Sequence, residues 1–427
     1  MYLLCGMLVG VFVGAAVAPQ SELSEARRLQ SQGEYPRAIV LLENLLRDES
    51  DDAEAEKLLG WLYGATGKTE LAVDVYRNLL SRHPDDADLH NSLGALLLRA
   101  GKLQEAKEEL ERAVTLDPSL VASHYNLGLL RFEEGSFALA ARSFELAIRL
   151  DPDKPQYYFM LAKAHRATLE FAQAVAAFRA GLTRSPPVEL ARTARLELAL
   201  TLKHDGLLSD SEAELRVLLA ADPDDGEAMF QLGRLYVAMN QYAEAESVFR
   251  RLTEVSRDYT PAHFMLGLVW YREDAPEKAL VSFQRLLLLE PRHAEAHYYV
   301  GMSHLKLGNH REAREAFEQT LLIDTDHVGA NYNLGLLLAR EGERDESEKR
   351  LERFRALGER RDRLQALEER VRWDPRNAKF HFELGQEYSR QKRTKEALLA
   401  FQRALEIEPD LAAAEIEIAD LLASRDR

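Results

Sequence analysis

Over stretches of about a dozen residues, apolar side chains fall three and four positions apart, with charged and polar residues between them. That spacing gives a helix one buried face. The stretches come in pairs, and the pairs return every 34 residues. Leu59-Gly60, Leu93-Gly94 and Leu127-Gly128 recur in step, as do Ala72, Ala106 and Ala140, and the closing prolines Pro84, Pro118 and Pro152. A fixed period of this size marks an array of supersecondary units rather than one globular core. An array folds without a catalytic pocket, so the pattern points towards a binding surface.

Each unit reads as an antiparallel helix pair. A small residue follows a branched apolar one in the first helix, at Gly60, Gly94, Gly128, Gly233, Gly267, Gly301, Gly335 and Gly385. A turn glycine such as Gly67, Gly101 or Gly135 then separates the helices, where a left-handed backbone suits it. The second helix closes on Asp117-Pro118, Asp151-Pro152, Asp222-Pro223, Glu290-Pro291 or Glu408-Pro409. Proline lacks a backbone donor and disfavours helix in the residue before it, so it stops the unit. A helix pair of this kind buries its face only against its neighbours.

In these residues the chain resembles the tetratricopeptide repeat family. The unit Ala53–Asp86 carries Leu59, Gly60, Tyr63, Ala72, Tyr76 and Pro84 at the family's signature spacings. The resemblance implies an all-α superhelical solenoid of antiparallel helix pairs. In its register the units begin at Pro19, Ala53, Ala87, Val121, Pro155, Arg192, Gly226, Thr260, Ala294, Val328 and Ala378, and a polar capping helix starts near Ala412. The expected organisation is a leading segment over 1–18, ten repeats over 19–359, an inserted helical segment over 360–377, and the last repeat with its cap over 378–427. The large aromatic usual near the start of the first helix is absent, with His, Met, Arg or Asn instead. Ala162 and Ala199 replace the glycine, and Arg257, Thr325 and Glu359 replace the closing proline.

Two intervals break the period. Around Ser185-Pro186-Pro187 the spacing stretches by three residues, which reads as a longer loop. Between Gly335 and Gly385 there are 16 extra residues. Arg344 to Arg372 holds no proline and keeps Leu351, Phe354, Leu357, Leu364, Leu367 and Val371 as an apolar set, so it reads as one long helix or two joined at Gly358. Arg360, Arg361 and Arg363 lie close to Glu359 and Asp362. This stretch is either a docking helix for a partner or second copy, or a bridge between array segments held by intrahelical charge pairs.

The N-terminus adds a location. Met1 to Ala18 carries no charged side chain, and Leu3, Leu4, Met7, Leu8, Val9, Val11, Phe12 and Val13 form an apolar run ending at Ala16-Val17-Ala18. The run resembles a secretory signal or a short membrane anchor. No Lys or Arg precedes it, and Pro19 follows the small-residue site directly. The expectation is an exported chain, periplasmic, secreted or membrane-tethered, that meets membrane only through this segment. The sole cysteine, Cys5, lies within it, so the repeats have no disulfide and no thiolate metal site.

Charge and motifs remove other classes. A formal net charge of −16 argues against nucleic acid as the main partner, because phosphate binding needs a basic face. There is no nucleophile elbow, phosphate-binding glycine loop, His-Glu-x-x-His or Cys-x-x-Cys, so neither catalysis nor a cofactor is expected. His293 and His297 have the i, i+4 spacing of a helical metal site. However, His90, His124, His263, His297 and His381 all hold the fourth position of their units, which makes them repeat-packing residues; no metal is expected.

The family resemblance implies that first helices line a concave surface. Their fifth positions are Tyr125, Phe159, Phe230, Phe264, Tyr298, Tyr332 and Phe382. Their thirteenth positions include Arg99, Arg272, Lys306, Arg340 and Arg390, with Lys163 and Arg234 at the ninth and Arg166 at the twelfth. Asn126 and Asn333 hold a sixth position from which family members bond peptide backbone. An aromatic stripe beside a basic one suits an extended protein segment with acidic or C-terminal carboxylate groups. The same residues equally suit inter-unit packing and a solvated groove. The function expected is a non-catalytic interaction scaffold of the cell envelope or, as the second reading, an adaptor that positions a separate enzyme or secretion complex.

Overall fold

The computed structural model describes residues 19–48 and 52–425, which form 23 helices and, among these residues, no strand. The apolar run Met1–Ala18 and Cys5 lie outside the described residues. The chain divides into two compact units, Met1–Gln231 and Leu232–Arg427.

In the first unit, first helices alternate with second helices: α1 (Pro19–Ser31) and α2 (Tyr35–Asp48), α3 (Ala53–Ala65) and α4 (Thr69–Arg82), α5 (Ala87–Arg99) and α6 (Leu103–Leu116). Then follow α7 (Val121–Glu133) and α8 (Phe137–Leu150), α9 (Pro155–Ala167) and α10 (Phe171–Leu182), and α11 (Val188–His204) and α12 (Leu208–Ala221). The division between the units falls within α13 (Gly226–Ala238). The second unit continues with α14 (Tyr242–Val255), α15 (Thr260–Arg272) and α16 (Pro276–Leu289), α17 (Ala294–Lys306) and α18 (His310–Ile323), and α19 (Val328–Glu341) and α20 (Arg344–Trp373). It ends with α21 (Ala378–Arg390), α22 (Thr394–Ile407) and α23 (Ala412–Arg425). Within each unit a helix packs on its neighbours in sequence, and some first helices also touch the next first helix, as α5 touches α7.

One contact sets the spacing within a pair. The second helix of most repeats carries a fully buried Phe: Phe144 and Phe178 in the first unit, and Phe249, Phe283, Phe317 and Phe401 in the second. Except for Phe178, the ring lies directly against the glycine of the first helix. A Cβ on Gly128 would stand 2.5 Å from Phe144 Cε1, and one on Gly301 2.6 Å from Phe317 Cε1. The repeat with Ala162 in place of that glycine moves the close approach elsewhere. There Phe159 presses on Gly181 of the second helix, with 2.4 Å left for a Cβ.

The helix starts match the expected register at every unit but one. The Ser185-Pro186-Pro187 stretch lengthens a helix rather than a loop. The repeat register starts this unit at Arg192, whereas α11 begins at Val188 and runs for 17 residues, four longer than α9. The physical reason is that proline is tolerated just before and within a first helical turn, whose amides lack intrahelical acceptors. Pro187 sits at the cap with φ −51°. The 16 extra residues after Gly335 likewise stay helical: α20 is continuous through Gly358 for 30 residues. Residues 360–373 of the expected insertion are thus its second half. Among the described residues no helix is long and apolar enough to cross a membrane.

Candidate functional site: the first-helix stripes

The fourth position proves to be a tether. His90, His124, His263, His297 and His381 each bond, through Nε2, the carbonyl six residues upstream, at 2.8–3.0 Å. Tyr158 Oη donates to Pro152 O at 3.1 Å and Asn331 Nδ2 to Thr325 O at 3.1 Å, so other side chains do the same work there. These carbonyls lie in the turn that ends the preceding second helix, where backbone acceptors lack helical donors. The bond ties the start of one repeat to the turn that closes the repeat before it. His293, the other half of the i, i+4 pair, caps α17 by accepting from Ala296 N at 3.1 Å. Among the described residues no group of His, Cys, Asp and Glu is arranged to hold a metal ion.

The fifth-position aromatics pack on the second helix of their own repeat. Ring centroids lie 5.8 Å apart for Tyr125 and Phe144, 6.2 Å for Phe159 and Phe178, and 5.9 Å for Phe264 and Phe283. The distances are 5.8 Å for Tyr298 and Phe317 and 5.6 Å for Phe382 and Phe401. Tyr332, with Leu351 rather than Phe at the facing position, reaches one turn further to Phe354 at 5.0 Å and stays 41% exposed. Phe159 is buried; Phe230 is half-buried on α13. Burial raises the hydroxyl pKa of Tyr125 and of Tyr298, so both remain neutral donors. At the sixth position, Asn126 donates to Asn91 Oδ1 at 2.8 Å in the preceding first helix. Asn333 donates to Gly329 O at 2.9 Å in its own helix and lies 3.4 Å from Tyr298 Oη.

The thirteenth-position cations reach back one repeat. Arg99 bonds Gly64 O at 2.5 Å and Lys306 bonds Tyr271 O at 2.8 Å, each 35 residues upstream. They thereby satisfy carbonyls at the end of the previous first helix, where a positive charge also favours the helix dipole. Lys306 further pairs with Asp274 at 2.9 Å and lies 4.2 Å above the Tyr271 ring. Arg272 donates to Tyr242 Oη at 3.3 Å, and Arg390 pairs with Glu387 at 3.2 Å. Arg166 is paired with Glu197, while Arg234 is exposed on α13. Among the described residues Lys163 and Arg340 bond no other side chain. In the second unit Arg272, Lys306, Arg340 and Arg390 therefore hold one position of four successive repeats, anchored to different degrees.

Family models of the tetratricopeptide repeat match residues 23–87, 57–121, 92–155, 159–226 and 301–360, and further ones 202–266 and 378–411. The chain belongs to the tetratricopeptide repeat family. A model described as anaphase-promoting complex, cyclosome, subunit 3 matches 238–320. Among solved structures the chain is similar to PilF of Pseudomonas aeruginosa, at 21% identity over 49% of this chain and 95% of that one, with a TM-score of 0.42. It is also similar to a structure of MamA, at 23% identity over 39% of this chain and 97% of that one (TM-score 0.37). The Cut9–Hcn1 hetero-tetramer structure is matched at 14% identity over 96% of this chain and 97% of that one (TM-score 0.35). No curated protein matches the chain.

Proposed function

We propose that this chain is a non-catalytic protein-interaction scaffold whose first-helix face is a groove for a partner peptide. The observation that carries this reading is the run of Arg272, Lys306, Arg340 and Arg390 at one position of successive repeats, three of them on exposed helix ends already holding neutral or acidic oxygen acceptors. A partner carboxylate would add charge-assisted bonds where Arg272 and Lys306 now hold neutral oxygens, and would share Arg390 with Glu387. Replacing Arg272, Lys306 and Arg340 together with Ala is expected to weaken the partner about tenfold or more, because fields from one stripe add at a bound anion. Helix content should hold, since among the described residues Arg340 bonds no other side chain and the exposed bonds of Arg272 and Lys306 are worth about 1 kcal/mol or less each. Partner affinity measured by titration across a salt series checks this. A partner indifferent to both salt and the triple substitution overturns the groove. Copurification of a stoichiometric enzyme would identify the scaffold as an adaptor.

The location we propose is the cell envelope, on the uninterrupted apolarity of Met1–Ala18. Fractionation of a tagged chain with protease protection is expected to recover it outside the cytosol. A soluble cytosolic product with Met1 intact overturns this.

A further inference from the structure

The helix α20 is about twice the length of the second helix before it, 30 residues against 14. Its first half pairs with α19 and its second half with α21, where Leu364, Leu367 and Val371 meet Leu384 and Tyr388. At 1.5 Å per residue, 16 additional residues carry the next first helix about 24 Å further along α20. Elsewhere a first helix is bonded to the one before it, as Asn126 is to Asn91 and Lys306 to Tyr271. Arg390, at the position equivalent to Lys306, bonds Glu387 of its own helix instead. A cleft of about 590 Å³ opens where the helices no longer meet, between the loop leading into α19 and the end of α21, with α20 as its floor.

The cleft is basic in an acidic protein. Arg353, Arg360, Arg361, Arg390 and Lys392 line it against one acid, Asp326. Arg353 is explained by the repeat, since it pairs with Asp326 as Arg112 pairs with Asp85 and Arg285 with Asp258, each 27 residues apart. Arg360 and Arg361 have no such periodic role, whereas Arg390 holds the thirteenth position and Lys392 the left-handed turn position, at φ 58°, where other repeats carry glycine. Arg361 reaches only its chain neighbour Asp362, at 3.4 Å and 76% exposed, and Arg360 lies 3.8 Å from an Asp326 already held by Arg353. Leu357, Leu364 and Val328 supply an apolar strip within the same lining. Next to Leu357, Gly358 sits inside the continuous α20 without packing cause, because a Cβ there would meet nothing within 4 Å. Glycine inside a helix is less stable than alanine, and its recurrent use is to let another backbone come close.

We propose that this cleft docks an extended acidic segment of a partner protein. Its carboxylates lie on Arg360, Arg361, Arg390 and Lys392, an apolar side chain sits on Leu357 and Leu364, and its backbone crosses Gly358. The proposal rests on the scaffold reading only in that a partner protein supplies the segment. Its site is separate from the first-helix groove and shares Arg390 alone with it.

The test uses the full chain and a short fluorescein-labelled peptide of Asp and Glu around a central leucine pair, with a twin in which Asn and Gln replace every acid. Anisotropy should show the acidic peptide bound about tenfold or more tighter than its twin. Joint Arg360→Glu, Arg361→Glu and Lys392→Glu substitution should cost a similar factor, since it turns attraction into repulsion. Gly358→Ala should raise the thermal midpoint yet weaken the peptide about threefold, a combination that lost folding does not produce. If the triple reversal does not fold, Arg361→Glu and Lys392→Glu singly, each expected to cost about threefold, decide instead. Equal binding of the twin, undiminished binding by the reversed variants, displacement by millimolar inorganic phosphate, or no binding to the wild type overturns the proposal. Loss of the peptide in the Arg272→Ala, Lys306→Ala, Arg340→Ala variant alone would move it to the groove, overturning the cleft while leaving the scaffold reading intact.

Discussion

Replacing Phe317 with Ala is expected to destabilise the α17–α18 pair and its neighbours by about 3–5 kcal/mol, the range for emptying a fully buried aromatic site. The ring is wholly buried, touches Tyr298 and fills the crossing with Gly301, so nothing around it is free to collapse into the space. The converse change, Gly301→Ala, overfills the same crossing and should cost about 1–3 kcal/mol. The chain holds two precedents for alanine at the glycine position: Ala199 faces the smaller Leu215, while Ala162 keeps Phe178 only in a repeat whose close approach has moved to Phe159 and Gly181. Gly301→Ala should therefore cost less in a Phe317→Leu background, with a coupling energy of roughly 1 kcal/mol. Urea unfolding of the four proteins, with hydrogen exchange in α17 and α18, measures it. Additive losses would mean that the glycine is not there for the ring.

The glycine of that crossing was legible in the sequence because it repeats with the period, and so were the first-helix starts from Pro19 to Pro155 and from Gly226 to Ala378; that a second-helix phenylalanine fills the crossing was not. The rest of what the sequence concealed depends on partners outside the unit. The fourth-position histidines read as packing residues, but nothing in one unit tells that the ring reaches the carbonyl six residues upstream. Arg99 and Lys306 read as groove cations, and only the stacked repeats bring Gly64 O and Tyr271 O beneath them. Residues Val188 to Ala191 read as loop because of two prolines, which local preference could not place at a helix entry. The charges of Arg360 and Arg361 were visible at once. Their meeting with Lys392 and the α19 entry loop follows from a 16-residue slip in register, which a periodic reading records only as an interruption.

Arg192→Ala is expected to cost the first unit about 2–3 kcal/mol at neutral pH. Arg192 holds Asp225 with two parallel bonds, Nε to Oδ2 at 2.7 Å and Nη2 to Oδ1 at 2.8 Å, and the Asp225 side chain is 2% exposed. Removing one partner of a buried pair strands the other charge, a loss of about 3–5 kcal/mol when both are buried. The figure is set lower here because Arg192 itself is 40% exposed and its bonds are partly screened. Asp225 also accepts from Ala228 N at 3.0 Å, which softens the loss further. The pH dependence has a definite sign. Burial pushes the Asp225 pKa up, but the Arg192 bonds and the backbone amides more than reverse this and hold it below the ordinary aspartate value. A depressed folded-state pKa gives stability that is present above the unfolded value of about 3.9 and lost as pH falls through the folded one. Without Arg192, burial dominates and the charged form becomes a penalty, which protonation relieves. The stability gap between the wild type and Arg192→Ala should thus be widest near pH 7 and narrow towards pH 4. Hydrogen exchange in α11 and at the start of α13, taken at both pH values, reads it directly. A gap that stays constant or widens in acid would show that Asp225 is not held ionised by Arg192.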